Sequence, residues 1–314
     1  MAIRFVSIRR SLIIQSAGLI LGCLVTKGAN AEVKVSRVDY HGWKQCYRME
    51  NGIIDMVVVP QVGHIMRFGY IGGPNMLWEN PDLLGKTLTS LGLSGNRKDW
   101  VNFGGDKLWP APQERWNWPP DPELDPGEHT VTITDKLGVY MFGEPSKKSG
   151  VLFRRLITMS PDSAEVTIVN TMFNSSNENQ KWSVWEIAQT DNPDTAIAPK
   201  SLTGEPYNIM TTEKINPRTV VVVSGQVIVK RDTKLSGKIG TTNPLGWLKC
   251  TKAGTTFEMK LENQKGTYPD KDCRQQIYWN PDPLKYVELE LLGPIKSFGS
   301  SAAISTTVHW SLQK

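Results

Sequence analysis

The feature that most limits what this chain can fold into is its run of short, β-branched, alternating segments with no helical period between them. Residues 33–40 and 43–49 read as an opening hairpin turned at His41-Gly42. Residues 53–59 are apolar and β-branched, and 63–71 set His64, Met66, Phe68 and Tyr70 against Ile65 and Arg67. Segments 131–134 and 139–142 flank Lys136-Leu137-Gly138. Segments 151–159 and 164–173 flank Ser160-Pro161-Asp162-Ser163, a turn composition. Further strand patterns cover 181–189, 218–223, 226–229, 247–251, 255–261, 274–279, 286–292 and 305–312, while 81–91 holds at most a short helix. Turn signals every ~8–15 residues without a helical layer predict an all-β fold, an antiparallel sandwich or barrel. No Gly/Ser-rich boundary or fixed-period repeat divides the chain, so residues 32–314 are expected to be a single domain of two large sheets.

The first residues carry a different signal. Arg4, Arg9 and Arg10, an apolar run over 12–25 and Ala29-Asn30-Ala31 together predict a secretory signal peptide over residues 1–31. Arg9-Arg10-Ser11-Leu12-Ile13 has a loose likeness to a twin-arginine signal, and Ile20-Leu21-Gly22-Cys23 to a lipoprotein box; cleavage after Ala31 is favoured over anchoring at Cys23. The expected location is periplasmic or secreted. No later apolar run reaches ~18 residues, so the mature chain is not expected to span a membrane.

Export also changes the charge argument. The chain has 36 basic and 31 acidic residues. Arg4, Arg9, Arg10 and Lys27 lie within 1–31, which hold no acid, and this leaves 32 basic against 31 acidic residues. No Lys/Arg stripe remains to track phosphates, which argues against a nucleic-acid partner. Of the three mature cysteines, Cys250 and Cys273 are a possible bridge in an oxidising compartment, with Cys46 left buried and free. No Cys or His pair has ligand spacing, so no metal and no cofactor is expected. Oligomeric state is not set by the sequence.

Against this strand-rich background one stretch stands apart. Residues 102–118 read NFGGDKLWPAPQERWNW, and prolines with a glycine pair make them a poor helix and a poor central strand. They are expected to form a long surface loop within a non-strand insertion over about 80–129, and long loops in compact β domains are usually functional. Aromatic faces beside hydrogen-bonding groups suit a sugar, which has C–H faces and a hydroxyl rim. The expected partner is therefore a sugar or oligosaccharide. Asp106, Lys107, Trp109, Gln113, Trp116, Trp118 and Trp185 are the candidate substrate-binding residues.

Three glutamates are candidates for chemistry. In 286–292, YVELELL, the two-residue period puts Val287, Leu289 and Leu291 on one face and Glu288 and Glu290 on the other. Two stacked carboxylates repel, which raises the pKa of one and suits proton transfer. In 181–189, Trp182, Val184, Glu186 and Ala188 share one face, and Ser183, Trp185, Ile187 and Gln189 the other. Both faces mix apolar and polar groups, as in a strand lining a cleft, and Glu186 is the third candidate. The histidines His41, His64, His129 and His309 neighbour no candidate nucleophile, so no triad is read.

Several blocks taken together resemble a known family. These are Pro60-Gln61-Val62-Gly63-His64-Ile65, the 102–112 block NFGGDKLWPAP, Trp182 to Gln189, Lys238-Ile239-Gly240 with Gly246-Trp247, Tyr268-Pro269-Asp270, and the 286–294 block YVELELLGP. Over residues 50–312 the chain resembles the galactose mutarotase-like superfamily, nearest to an uncharacterised bacterial branch of unknown function. The resemblance implies a β-supersandwich, antiparallel sheets with a concave carbohydrate cleft. It also implies anomer interconversion of an aldose, with a late glutamate, Glu290 in preference to Glu288, taking the anomeric proton. The family's proton-donating histidine has no counterpart in 181–189; Glu186 or Lys107 would stand in for it. The alternative is a non-catalytic carbohydrate-binding or accessory protein of the envelope.

Overall fold

From Val151 to Met159 buried and half-exposed residues alternate without a break, as expected of a strand with one face in a core. That pattern, repeated along the chain, builds the fold in the computed structural model. The model describes residues 32–93, 99–116, 118–135, 138–211 and 215–314. The signal peptide expected over 1–31 lies outside the described residues.

The chain opens with β1 (Lys34–Tyr40), β2 (Trp43–Glu50), β3 (Ile54–Val59) and β4 (His64–Tyr70), which pair in chain order as a four-stranded sheet. β5 (Asp106–Ala111) follows an insertion, and then come β6 (Thr130–Thr134), β7 (Gly138–Phe142), β8 (Val151–Met159), β9 (Glu165–Asn174) and β10 (Gln180–Asp191). Next are β11 (Thr195–Pro199), β12 (Asn208–Ile209), β13 (Val220–Val223), β14 (Gln226–Val229), β15 (Gly237–Thr241), β16 (Trp247–Lys252) and β17 (Thr255–Leu261). The chain ends with β18 (Gln275–Trp279), β19 (Tyr286–Leu292), β20 (Lys296–Phe298) and β21 (Ala303–Gln313). Ten strands form one sheet in the order β13-β14-β11-β16-β17-β21-β9-β8-β7-β6. Seven form the other large sheet, in the order β12-β15-β18-β19-β10-β20, with β5 added on β10. The expected all-β architecture of antiparallel sheets is what the chain adopts, with a four-stranded sheet beside the two large ones.

The main core includes residues from all three sheets. Phe68 of β4, Phe257 of β17 and Trp310 of β21 meet there with ring centroids 5.1–5.4 Å apart. Such aromatic pairs contribute about 0.5–1.5 kcal/mol each beyond the area they bury. The short helix expected over 81–91 is a single 3-10 turn, Pro81–Leu83, whose N-terminal Asn80 side chain accepts from the Asp82 amide. No helix among the described residues is long and apolar enough to cross a membrane.

Two expectations are corrected. The stretch 102–118 is not wholly a surface loop, because Asp106–Ala111 is a fully buried strand, β5. Pro110 is tolerated because β5 is an edge strand bonded only to β10. Within a strand a residue's N and C=O point to the same side, and the Pro110 carbonyl accepts from the Trp116 indole at 2.8 Å. The missing amide donor therefore falls on the side where no strand needs it. The glycine pair ahead of β5 is also required by the structure: Gly104 and Gly105 have φ of 94° and 71°, and a Cβ on Gly105 would lie 2.4 Å from the Ile65 carbonyl. The second correction is that Cys250 and Cys273 are separate buried thiols, like Cys46. Cys250 sits in β16, within the ten-stranded sheet, and Cys273 lies just ahead of β18, against Gly240 of the seven-stranded sheet.

Candidate functional site

The site is built from strand register. β5 pairs with β10, β10 with β19, β19 with β18 and β18 with β15, so residues opposite one another share a face across five strands. One row across the sheet runs Lys107, Ile187, Glu290, Gln276, Gly240. The next row runs Gln189, Glu288, Tyr278, Lys238, and a third holds Trp109, Trp185 and Leu292. All three rows lie on the face turned away from the ten-stranded sheet, because Leu289, Leu291, Ile277 and Ile239 of the opposite face belong to the main core. Gly240 is the small end of its row, where a Cβ would meet Met210 Sδ at 2.6 Å and Cys273 Cβ at 2.7 Å.

A cleft of about 550 Å³ opens on this face. Glu288, Glu290, Lys238, Tyr278 and Tyr286 line it from the sheet, and Trp100, Trp109, Trp118, Trp185, Gln113, Met210 and Thr211 form its aromatic wall and rim. That volume lies in the range of small-molecule sites, ~300–1,000 Å³. Glu290 Oε2 accepts from Lys238 Nζ at 2.8 Å and from Trp185 Nε1 at 2.9 Å. Burial pushes its carboxyl up to about 7, against the pull of the Lys238 cation. Burial also raises Glu288, with the Lys107 cation opposing, and its Oε1 accepts from Gln189 Nε2 at 2.8 Å.

Lys107 is the unusual member of the group. It is buried, its Nζ makes no hydrogen bond, and the ammonium lies 4.8 Å from the Trp100 ring centroid. Burial lowers its pKa, while the charges of Asp125, Glu288, Asp106 and Glu290 pull the other way. The oxygens of two neighbouring glutamines, Gln189 Oε1 and Gln276 Oε1, are likewise buried without a partner. Partnerless buried polar atoms are uncommon, and three of the eight such side-chain atoms among the described residues lie on this one face.

Asp125 organises the wall. It is fully buried and accepts from Trp100 Nε1 at 3.0 Å, Trp109 Nε1 at 2.8 Å and His64 Nε2 at 3.1 Å. Burial alone would raise this carboxyl, but the hydrogen bond and charge of His64, with the Lys107 cation, hold it below the usual carboxylate range. One carboxylate thus fixes two tryptophans of the cleft wall.

The predicted residues divide between two faces. Glu288, Glu290, Trp109, Gln113, Trp118 and Trp185 line the cleft, and Lys107 lies in the row beneath it. Glu186 and Asp106 are corrections, since both point into the sandwich. Glu186 accepts from Asn170 of β9 and from Trp310 Nε1 of β21, and Asp106 pairs with Arg155 of β8 and accepts the Ile65 amide at 2.7 Å. The two-residue period places them opposite Trp109, Trp185 and Lys107, so neither reaches the cleft. Trp116 sits behind Trp109, half-buried, with its indole on Pro110.

Sequence reasoning missed Trp100, Asp125, His64, Lys238, Tyr278 and Tyr286. Lys238 stands in a block that carried the family resemblance, a signal that was there to use. His64 meets Asp125 only through the fold. His129 is buried, its Nδ1 lies 3.0 Å from the Gly127 carbonyl, and burial pushes it down to about 4; it does not line the cleft. Among the described residues no cluster of His, Cys, Asp or Glu could hold a metal ion.

Several solved structures share this fold. A galactose mutarotase-like protein from Clostridium acetobutylicum matches 91% of this chain over 100% of its own, with a TM-score of 0.59 and 10% identity. A putative aldose 1-epimerase from Escherichia coli K12 matches 90% of this chain over 99% of its own, with a TM-score of 0.55 and 10% identity. A TPR-domain containing protein from Parabacteroides distasonis matches 85% of this chain with a TM-score of 0.56 and 14% identity, and there this chain spans 47% of that protein's length. No protein-family model matches the chain, and no curated protein does. The likeness is one of fold: the chain folds as these galactose mutarotase-like and aldose 1-epimerase structures do.

Proposed function

We propose that the chain is an exported, single-domain protein that binds a sugar in the Trp109–Glu290 cleft and acts on its anomeric centre. The observation that carries this reading is Glu290, a buried carboxyl with its pKa near 7, facing an aromatic-walled cleft of about 550 Å³. A carboxyl tuned toward the working pH is a competent base, and such a group contributes about 10²–10⁴-fold. Both fixed donors bind Oε2, which leaves Oε1 for substrate. Glu290 would take the anomeric hydroxyl proton as the bond from the anomeric carbon to the ring oxygen breaks. The ring oxygen would take its proton from water in the open cleft, since Lys107 Nζ is sealed beneath the cleft floor and does not line it. Rotation of the open-chain aldehyde and closure on its other face then give the second anomer.

A second reading has its own support: the acid partner that the family resemblance implies is missing from β10, whose sequence holds no histidine. In that reading the cleft belongs to a non-catalytic envelope binding module. Anomerisation of fresh α-glucose and α-galactose, followed by NMR, separates the two. Accelerated rates that fall at least 100-fold in Glu290→Gln support catalysis. Spontaneous rates with saturable binding that survives Glu290→Gln but falls in Trp109→Ala support the module. Absence of binding by any sugar overturns both readings.

A further inference from the structure

Trp118 is the only aromatic residue among those described that is strongly exposed, with 51% of its surface open. An indole half-open at the rim of a cleft gives up about half of the ~150–250 Å² of burial that most aromatic residues obtain. Its position is fixed nonetheless. The ring lies edge-on to Trp100 and Trp109, with centroids 5.6 and 6.1 Å away and interplanar angles of 75° and 81°. These contacts hold the ring on one side, and about half of its surface stays open at the cleft mouth, 51% in all. Trp109 separates Trp118 from Trp185, the residue that donates to Glu290. Exposed Gln113 lines the same rim and offers both a donor and an acceptor. Carboxylates and a lysine thus line the floor of the cleft, and a half-exposed indole with an amide lines its mouth. A single ring held at Glu290 leaves that mouth empty.

We infer that the ligand is the reducing end of an oligosaccharide, with its terminal ring at Glu290 and the next ring stacked on Trp118. This rests on the sugar reading above and adds a second subsite to it. Sugar faces stack on an indole without a fixed hydrogen-bond pattern, so the outer subsite recognises a ring more than a particular sugar.

The test compares glucose with maltose, cellobiose and lactose, three disaccharides whose reducing residue is glucose, and galactose with β-1,4-galactobiose. Dissociation constants are measured by ligand-observed NMR on the purified mature chain. At least one disaccharide is expected to bind tenfold or more tightly than its own reducing-end monosaccharide. In Trp118→Ala that ratio falls to about one, and in Trp118→Phe, which keeps a ring, most of it returns. If every disaccharide binds no tighter than its monosaccharide, or if the gain survives Trp118→Ala, the second subsite is wrong while the sugar reading stands. If neither monosaccharides nor disaccharides bind, the sugar reading fails and takes the inference with it.

Discussion

Replacing Lys238 with methionine tests the electrostatics of the site most directly. Methionine keeps an unbranched stem over Trp185, whose ring centroid lies 4.6 Å from the Lys238 ammonium, and removes only the cation. The Lys238–Glu290 contact is 2.8 Å long, with 18% of the lysine side chain and 1% of the glutamate exposed, so solvent screens it weakly. A hydrogen bond to a charged group contributes about 1.5–3 kcal/mol, and one pKa unit corresponds to 1.36 kcal/mol. Loss of Lys238 should therefore raise Glu290 from about 7 by roughly one to two units.

The sign of the effect on function follows. At pH 7 the native carboxyl is about half ionised, whereas in Lys238→Met the ionised fraction falls to roughly one-tenth to one-hundredth. A base-dependent rate drops about 5- to 50-fold at pH 7 and recovers toward pH 9. Two assays report it: a carboxyl-carbon NMR titration of Glu290, which needs no activity, and the pH profile of anomerisation. A Glu290 titration midpoint unchanged or lowered in Lys238→Met would refute the electrostatic argument. A shifted midpoint with no pH-dependent rate would leave the electrostatics intact and remove the assignment of Glu290 as base.

Three further outcomes are expected. Asp125→Ala orphans the Trp100 and Trp109 indole donors and leaves the buried Lys107 cation less compensated, at a cost of about 3–5 kcal/mol; Asp125→Asn, which keeps an acceptor, costs less, and urea unfolding measures both. Gly105→Ala combines a φ of 71° with a Cβ 2.4 Å from the Ile65 carbonyl. It should lower stability by clearly more than Gly52→Ala, where φ is 83° but nothing lies within 4 Å and strain alone costs ~1–2 kcal/mol. Glu186, pushed up to about 7 by burial, gives the folded state more protons than the unfolded chain between pH 4.5 and 7, so stability falls as pH rises through that window. Glu186→Gln should reduce the fall by up to about 3 kcal/mol, and denaturation curves of equal pH dependence for the two proteins would contradict this.

What the sequence made legible follows from which interactions are local. Alternation reports a one-sided strand wherever one face is buried, so the pattern of β8 and β9 was readable directly. β5 was hidden because Pro110 and the Gly104-Gly105 pair are penalised in a central strand. Only the edge position, with the proline carbonyl turned outward to Trp116, removes the penalty. The same limit explains Glu186 and Asp106: the period assigns each a face but does not say which face the second sheet covers. Asp125 lies in Asp121-Pro122-Glu123-Leu124-Asp125-Pro126-Gly127, a turn composition, and its partners stand 16, 25 and 61 residues away.

Glu288 and Glu290 show what additional reading would have found the site. Val287, Leu289 and Leu291 fixed the orientation of the pair, yet in sequence the glutamate face looks like a solvated outer face. It is buried instead, with 7% of Glu288 and 1% of Glu290 exposed. Two buried carboxylates on one strand are tolerated only if cations on adjacent rows offset them, since each uncompensated buried ion costs several kcal/mol. Lys107 and Lys238 supply that charge from β5 and β15, on opposite sides of β19. Each lysine stands in a block that carried the family resemblance, NFGGDKLWPAP and Lys238-Ile239-Gly240. A search for cations able to face the carboxylate pair would have joined those blocks into one site before any coordinates. The same condition makes the site fragile in a specific way: removing Lys107 should raise the pKa of Glu288 and removing Lys238 that of Glu290, and carboxyl-carbon NMR titration of each variant reads the two shifts separately.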